Sequence, residues 1–398
     1  MTSTEPLAQD ASRGGGRRHV HLITPGDHFS PRTGSAVPSV VHGLCSNADP
    51  ASPRPAVLVS RGTYPDRYPS ADVLEYELVD RRPRDRYVDA ARGLLRRPRT
   101  GAQRPVRPAL ADQASWESSV VVAHNLPPAV ALVDAEHHAP VLYAHNHLLR
   151  SYTPREAAVA LGSVALVVAV SESLAEQVRP HLPASLRDRV RVVHNAADPE
   201  LFHPVEPARE PQRDRLRITT TGRAIRDKGA DVLVDAVRLL GRADVEVCVV
   251  GSAGFDPYAP LTPYEQSLRR LAEGCAATVR FVPSMPRPAL GAFLRDSDVV
   301  VVPSRWPDPC PLTVLEGMAT GVPVIGSDIG GIPELLADAG LLVTPQDPRA
   351  LADAIEPLLD DASLRRTLGR SALARSAQLT WERSARAFDA HLAALVGS

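Results

Sequence analysis

Two cations and two carboxylates stand at spacings that could do chemistry. The segment T-T-T-G-R-A-I-R-D-K-G-A-D-V-L sets Arg223 and Lys228 on one loop, after an apolar run and before a helix that starts near Gly229. Two cations there suit a diphosphate. Lys228 is the single lysine beside 44 arginines, so a compact ammonium survives where every other cation is a planar guanidinium. That points to a site needing the smaller charge, with chance survival as the plain alternative. Further on, P-S-R-W-P-D-P-C-P-L-T-V-L-E-G-M-A-T-G-V-P-V-I places Asp308 and Glu316 eight residues apart, with a helix start between them. The free amides near Leu312 and Thr313 form a second anion site, and each carboxylate can accept hydrogen bonds from sugar hydroxyls.

The elements that carry these loops alternate. Strand-length apolar runs lie at His19–Ile23, Ala56–Val59, Val120–Ala123, Val141–Ala144, Leu166–Val170 and Val190–Val193, with helical spacing at Pro128–Glu136, Pro154–Leu161 and Glu172–Val178. A Pro-rich, charged stretch follows Asn195 and reads as a linker. A second series runs through Leu216–Thr221, Val245–Val250, Val279–Val282, Val299–Val302, Val322–Ile325 and Leu341–Val343, and a helix over Ala350–Leu359 follows. The expected fold class is α/β, two Rossmann-like doubly wound domains facing across a cleft, with ligands at the carboxyl ends of the strands. The expected boundaries are a disordered tail over 1–18, a first domain over 19–198, a linker over 199–215, a second domain over 216–378, and a C-terminal helix over 379–398 that packs back toward the first domain.

Composition narrows the function. With 398 residues, 44% hydrophobic and 23% charged, the chain is long enough for two or three ordinary globular domains. A net charge of -1 and 4% aromatic residues argue against a dedicated nucleic-acid binder and its stacking platforms. Cys45, Cys248, Cys275 and Cys310 are scattered and read as reduced thiols. No run of 18 apolar residues occurs, and the first 18 residues lack an apolar signal core, so a cytoplasmic protein is expected. Residues 81–107 are locally basic, with ten arginines against Asp85 and Asp89. They read either as a surface for anionic lipid at the inner face of the membrane, or for a phosphorylated acceptor, or as a solvated Arg-biased loop and helix.

In the first half, the loop T-P-G-D-H-F-S-P-R-T-G-S-A lacks G-x-G-x-x-G, which removes the main support for a dinucleotide-dependent oxidoreductase. Gly34, Ser35 and a helix starting near Val37 can offer backbone N–H groups to an anion, or form an ordinary turn. No tight metal-ligand spacing such as H-E-x-x-H occurs, so no metal is expected.

Gly222 to Gly229, Asp308 to Glu316 and Ala319 to Ile325 occur in the order G-R-x-x-x-x-K-G, E-x7-E, A-x-G-x-P-V-I, and with them the sequence resembles the family 4 retaining glycosyltransferases of the GT-B fold. The resemblance is strongest from Thr221 to Glu334. It implies that Arg223 and Lys228 hold the donor diphosphate, that Glu316 binds the ribose hydroxyls, and that Asp308 contacts the transferred sugar. It implies nucleotide contacts near Gly251 and the Val282 to Met285 loop, and a close approach by Gly34-Ser35. His145, after Val141–Ala144, falls where related enzymes put a histidine beside the reacting sugar; a structural histidine at a strand end is the alternative there, and for its neighbours His124 and His147.

Three positions depart from the pattern. Ser35 replaces a second glycine. Asp308 replaces a glutamate and is about 1.5 Å shorter. Pro309 and Pro311 delete backbone donors, with Pro311 tolerated as the first helical residue. The implied activity is metal-independent, retaining transfer of a hexose or acetamido-hexose from a nucleoside-diphosphate sugar, UDP favoured over GDP, to an acceptor hydroxyl. The sugar nucleotide is a co-substrate, so no cofactor is expected. A glycoside phosphorylase, and an impaired sugar-nucleotide-binding or coat-assembly protein, are the alternatives.

Overall fold

The structure is a computed structural model and describes residues 16–32, 34–204, 214–254 and 259–396. Most of the expected 1–18 tail and the central part of the expected linker, 205–213, lie outside the described residues.

The first domain is built on β1 (Arg18–Leu22), β2 (Ala56–Ser60), β3 (Asp72–Tyr76), β4 (Ser119–His124), β5 (Ala139–Ala144), β6 (Leu166–Ala169) and β7 (Val190–Val192). They form one parallel seven-stranded sheet in the order β3-β2-β1-β4-β5-β6-β7. Strands β2, β4, β5 and β6 are buried along their whole length, which is why they read as unbroken apolar runs. The second domain uses β8 (Leu216–Thr221), β9 (Val245–Val250), β10 (Thr278–Val282), β11 (Val299–Val302), β12 (Val324–Ser327) and β13 (Leu341–Val343) in the parallel order β10-β9-β8-β11-β12-β13. Both sheets reverse direction beside their first strand, at β1/β4 and β8/β11, and the loops after those strands converge on one cleft.

Some expected elements shift. The segment Pro128–Glu136 yields only a single helical turn, Pro127–Val130. Strand β12 starts two residues later than expected, after Pro323, whose missing N–H is excluded from the ladder. The expected linker is not wholly extended: Phe202 is buried, and Leu201 accepts a hydrogen bond from Arg295 through its carbonyl.

The helix Trp381–Val396 returns to the first domain, where Phe388 meets His19 edge-on at 5.4 Å and Ser384 donates to the His194 carbonyl at 2.7 Å. Across the domain boundary, Glu334 accepts from the backbone N–H of Glu172 at 2.9 Å and pairs with His194. Burial alone would raise the Glu334 pKa, but the bonds from His194, Glu172 and Ser173 hold it below the usual carboxylate value. None of the four cysteines is joined in a disulfide.

Candidate functional site

A cleft cavity of about 540 Å³ is lined by both domains. From the second domain it receives the loops after β8 and β9, which open on Gly222 with φ +135 and on Gly251 with φ +126. A Cβ on Gly251 would stand 2.0 Å from the Gly222 carbonyl oxygen, so two strand-end loops touch backbone to backbone here. Gly229 then turns with φ +71 into the helix Ala230–Leu240. This fixes Arg223 and Lys228 on the same side of the cleft, both among its lining residues.

Arg223 is exposed and takes part in no ion pair among the described residues. Lys228 instead forms an ion pair with Asp308, which is buried on the facing loop after β11. The residue types expected at diphosphate and sugar therefore meet each other. An ammonium has three N–H groups, so one bond to Asp308 leaves two for another anion.

The helix Leu312–Ala319 starts at the cavity wall, with Pro311 as its N-cap and no side chain capping its first turn. Pro311 thus stands one position before the helix and is not its first residue. Its φ of -66 fits the ring, and the amides of Leu312 and Thr313 remain at the positive end of the helix. The Thr221 hydroxyl donates to the Thr313 hydroxyl at 3.1 Å, tying this helix to the end of β8.

Glu316 is buried and accepts from Arg287 at 2.6 Å through Oε1. Burial would lower the Arg287 pKa, but the Glu316 carboxylate outweighs it and raises the value. Arg287 lines the cleft and was not singled out in the sequence, because one arginine among 44 carries no signal. Trp306 and Ser284 also line the cavity and were not singled out in the sequence. Met285 lines the cavity, whereas Val282 is absent from its wall: the Val282 carbonyl accepts from the Gly251 N–H at 2.8 Å and extends the β9–β10 ladder.

On the facing domain, Gly34 and Ser35 line the cleft at the start of the helix Ala36–Ser46, with Ser35 as its N-cap. His145 lines it as well, and its backbone N–H donates to Asn125 Oδ1 at 2.8 Å. Its ring stacks on Tyr143 at 4.9 Å, and burial drives its pKa down to about 3, so it is a neutral imidazole. His124 is the last residue of β4 and is buried, not in the cleft wall, while His147 meets His181 edge-on at 5.0 Å. Among the described residues, no group of three or more His, Cys, Asp or Glu could hold a metal ion.

Two parallel-sheet Rossmann-like domains with ligand-competent loops facing across one cleft define the GT-B architecture. Solved structures share it over nearly the whole chain. Sucrose-phosphate synthase from Thermosynechococcus elongatus has a TM-score of 0.72 at 22% identity, covering 96% of this chain and 100% of that one. The Anabaena protein HepE in complex with UDP and glucose has a TM-score of 0.69 at 17% identity, covering 96% and 100%.

More particularly, residues 215–361 match the family model of glycosyl transferases group 1. The D-inositol 3-phosphate glycosyltransferase of Paenarthrobacter aurescens is 31% identical over 232 residues, which cover 56% of this chain and 55% of that protein. That of Streptomyces avermitilis is 32% identical over 266 residues, covering 61% and 56%. The chain spans about half the length of the curated relatives it matches. No described helix is long and apolar enough to cross a membrane.

Proposed function

We propose that this protein is a retaining glycosyltransferase that moves a hexose or acetamido-hexose from a nucleoside diphosphate to an acceptor hydroxyl. The observation that carries this reading is the cleft itself, where Arg223, Lys228 and the start of the helix Leu312–Ala319 stand opposite a neutral His145. As the bond from the sugar to the diphosphate breaks, positive charge grows on the sugar and negative charge on the leaving oxygen. Fixed cations and a helix terminus at the phosphate stabilise that separation without reorganising. Arg223, Lys228 and the amides of Leu312 and Thr313 take this role in the proposal.

Glu316 accepts the ribose hydroxyls with the oxygen that Arg287 leaves free. Asp308 and His145 hold the sugar. The departing phosphate takes the acceptor proton on the face it leaves, which retains configuration and asks for no protein nucleophile. UDP as the nucleotide is supported by the HepE complex with UDP, and a phosphorylated acceptor by the D-inositol 3-phosphate specificity of the relatives.

The test is a thermal-shift panel with UDP, GDP, ADP and UDP-glucose on the wild type and Lys228→Ala. A nucleotide at a hundred times its dissociation constant adds about 2.7 kcal/mol to stability. A selective shift for UDP that Lys228→Ala abolishes is the expected result. A folded protein that no nucleotide stabilises would overturn the reading.

A further inference from the structure

Behind His145 lies a line of buried imidazoles. His124 Nδ1 is 2.9 Å from His145 Nε2, and His21 Nδ1 is 2.9 Å from His124 Nε2. The register explains the line. His21 pairs with Val122 and His124 with Tyr143, so each histidine stands two residues beyond the partner of the one before, on one face of β1 and of β4 and, for His145, at the first residue past β5. Such diagonal neighbours are within reach of ring side chains. The rings stack at 5.2 Å in both steps. His21 and His124 are 1% and 0% exposed. At the cleft end, His145 Nδ1 is buried and has no hydrogen-bond partner. At the far end, His21 borders a small cavity shared with His19, Cys45 and Asp389.

A neutral imidazole has one N–H and one bare nitrogen. Two consecutive Nδ1···Nε2 contacts therefore permit two arrangements only: all three rings carry the proton on Nδ1, or all three carry it on Nε2. Resting on the transferase reading above, we propose that His124 and His21 are positioning residues that lock the His145 ring and force the three histidines to share one tautomer. The nitrogen that His145 offers the sugar then cannot change from donor to acceptor unless a proton crosses every contact in the string. Burial keeps the three rings uncharged, which the arrangement requires.

Nitrogen-15 NMR of histidine-labelled protein reads each ring's tautomer directly, without any substrate. The expected result is one tautomer shared by His21, His124 and His145. His124→Phe should split the His145 signal into two tautomers and lower UDP release from UDP-glucose by roughly ten- to a hundredfold, with KM little changed. His124→Asn presents an amide where Nδ1 stood and can turn its oxygen or its nitrogen to His145, so it should hold the ring and recover part of the turnover while leaving both tautomers, whereas His124→Gln, which reaches toward His21, should recover neither. Different tautomers in the wild type, or an unaltered His145 signal in a folded His124→Phe protein, would overturn the proposal. If no nucleotide binds at all, the transferase reading fails while the NMR result still decides the string.

A separate observation concerns the basic stretch. In the helix Asp85–Leu94 the buried side chains are Asp85 and Asp89, which pair with Arg104 and with the half-exposed Arg81. The outward face is left with Tyr87 at 63%, Val88 at 39% and Leu94 at 87% exposure, continued by Leu95 at 67%. With Leu78 and Val79, these make six of the nine exposed large hydrophobic residues among those described. Arg82, Arg84, Arg86, Arg96 and Arg97 are exposed around them and enter no ion pair among the described residues.

The two acids of this helix are thus buried and paired, while apolar and cationic groups make up most of the outer face, with Asp80 exposed beside Val79. We infer that this face docks on an anionic phospholipid surface, the apolar groups entering the headgroup boundary and the arginines meeting the phosphates. The test is co-sedimentation with vesicles of phosphatidylglycerol and phosphatidylcholine, and of phosphatidylcholine alone. Binding to the anionic vesicles only is expected, falling about fivefold for each of Arg96→Ala and Arg97→Ala and also with Leu94→Ser. Equal affinity for both vesicles, no binding, or a dimer that Leu94→Ser dissociates would overturn it.

Discussion

Replacing Lys228 by methionine keeps the stem of the side chain and deletes its charge, which strands the Asp308 carboxylate. The two side chains are 29% and 10% exposed. Breaking a fully buried pair costs about 3–5 kcal/mol, and the solvent reaching Lys228 brings this down to about 1–3 kcal/mol. For a domain of this size that lowers the melting temperature by roughly 2–4 °C per kcal/mol. Turnover should suffer more, because a preorganised charge at the leaving group is worth about 2.7–4 kcal/mol, or about a hundred- to a thousandfold in kcat/KM.

The two effects separate in a double variant. Adding Asp308→Asn removes the stranded charge, so Lys228→Met with Asp308→Asn should recover most of the melting temperature and none of the turnover. Scanning calorimetry gives the first quantity and release of UDP from UDP-glucose the second. A single variant that melts with the wild type would refute the stability argument. A double variant whose turnover returns along with its stability would refute the assignment of Lys228 to the leaving group.

The Arg287–Glu316 pair is more enclosed, with side chains 12% and 3% exposed, so Glu316→Gln should cost about 3–5 kcal/mol in urea unfolding. Exchanging both residues for leucine should return most of it; additive losses in the double variant would contradict that account. Glu334 predicts a pH dependence. Its folded pKa lies below its ordinary 4.5, so its contribution is complete above about pH 4.5 and is lost as pH falls through the folded value. The melting temperatures of wild type and Glu334→Gln, plotted from neutrality to about pH 3, should converge on the acid side; a constant gap would exclude this residue as an acid-sensitive tie between the domains.

The central strands of both sheets were legible because strands buried on both faces are written as continuous apolar runs. Strand β3 was not, since Asp72–Tyr76 is a sheet-edge segment with Glu75 exposed and carries no such run. The loops bearing Arg223, Lys228, Asp308 and Glu316 could be placed at strand ends from spacing alone. Their mutual pairing could not, because Lys228 meets Asp308 across 80 residues of chain and Arg287 meets Glu316 across 29. The histidine string is the clearest case. It depends on the relative register of β1, β4 and β5, which no single strand's alternation encodes.

The solitary lysine gives the molecule a native chemical handle. Lys228 supplies the only side-chain amine in the chain, and that amine lines the cleft. An amine-selective acylating reagent would mark side chains at this position alone, leaving every arginine untouched. Protection of one modified peptide in a mass spectrum would then report occupancy of the cleft in the unaltered protein, for any donor or inhibitor, with no engineered label.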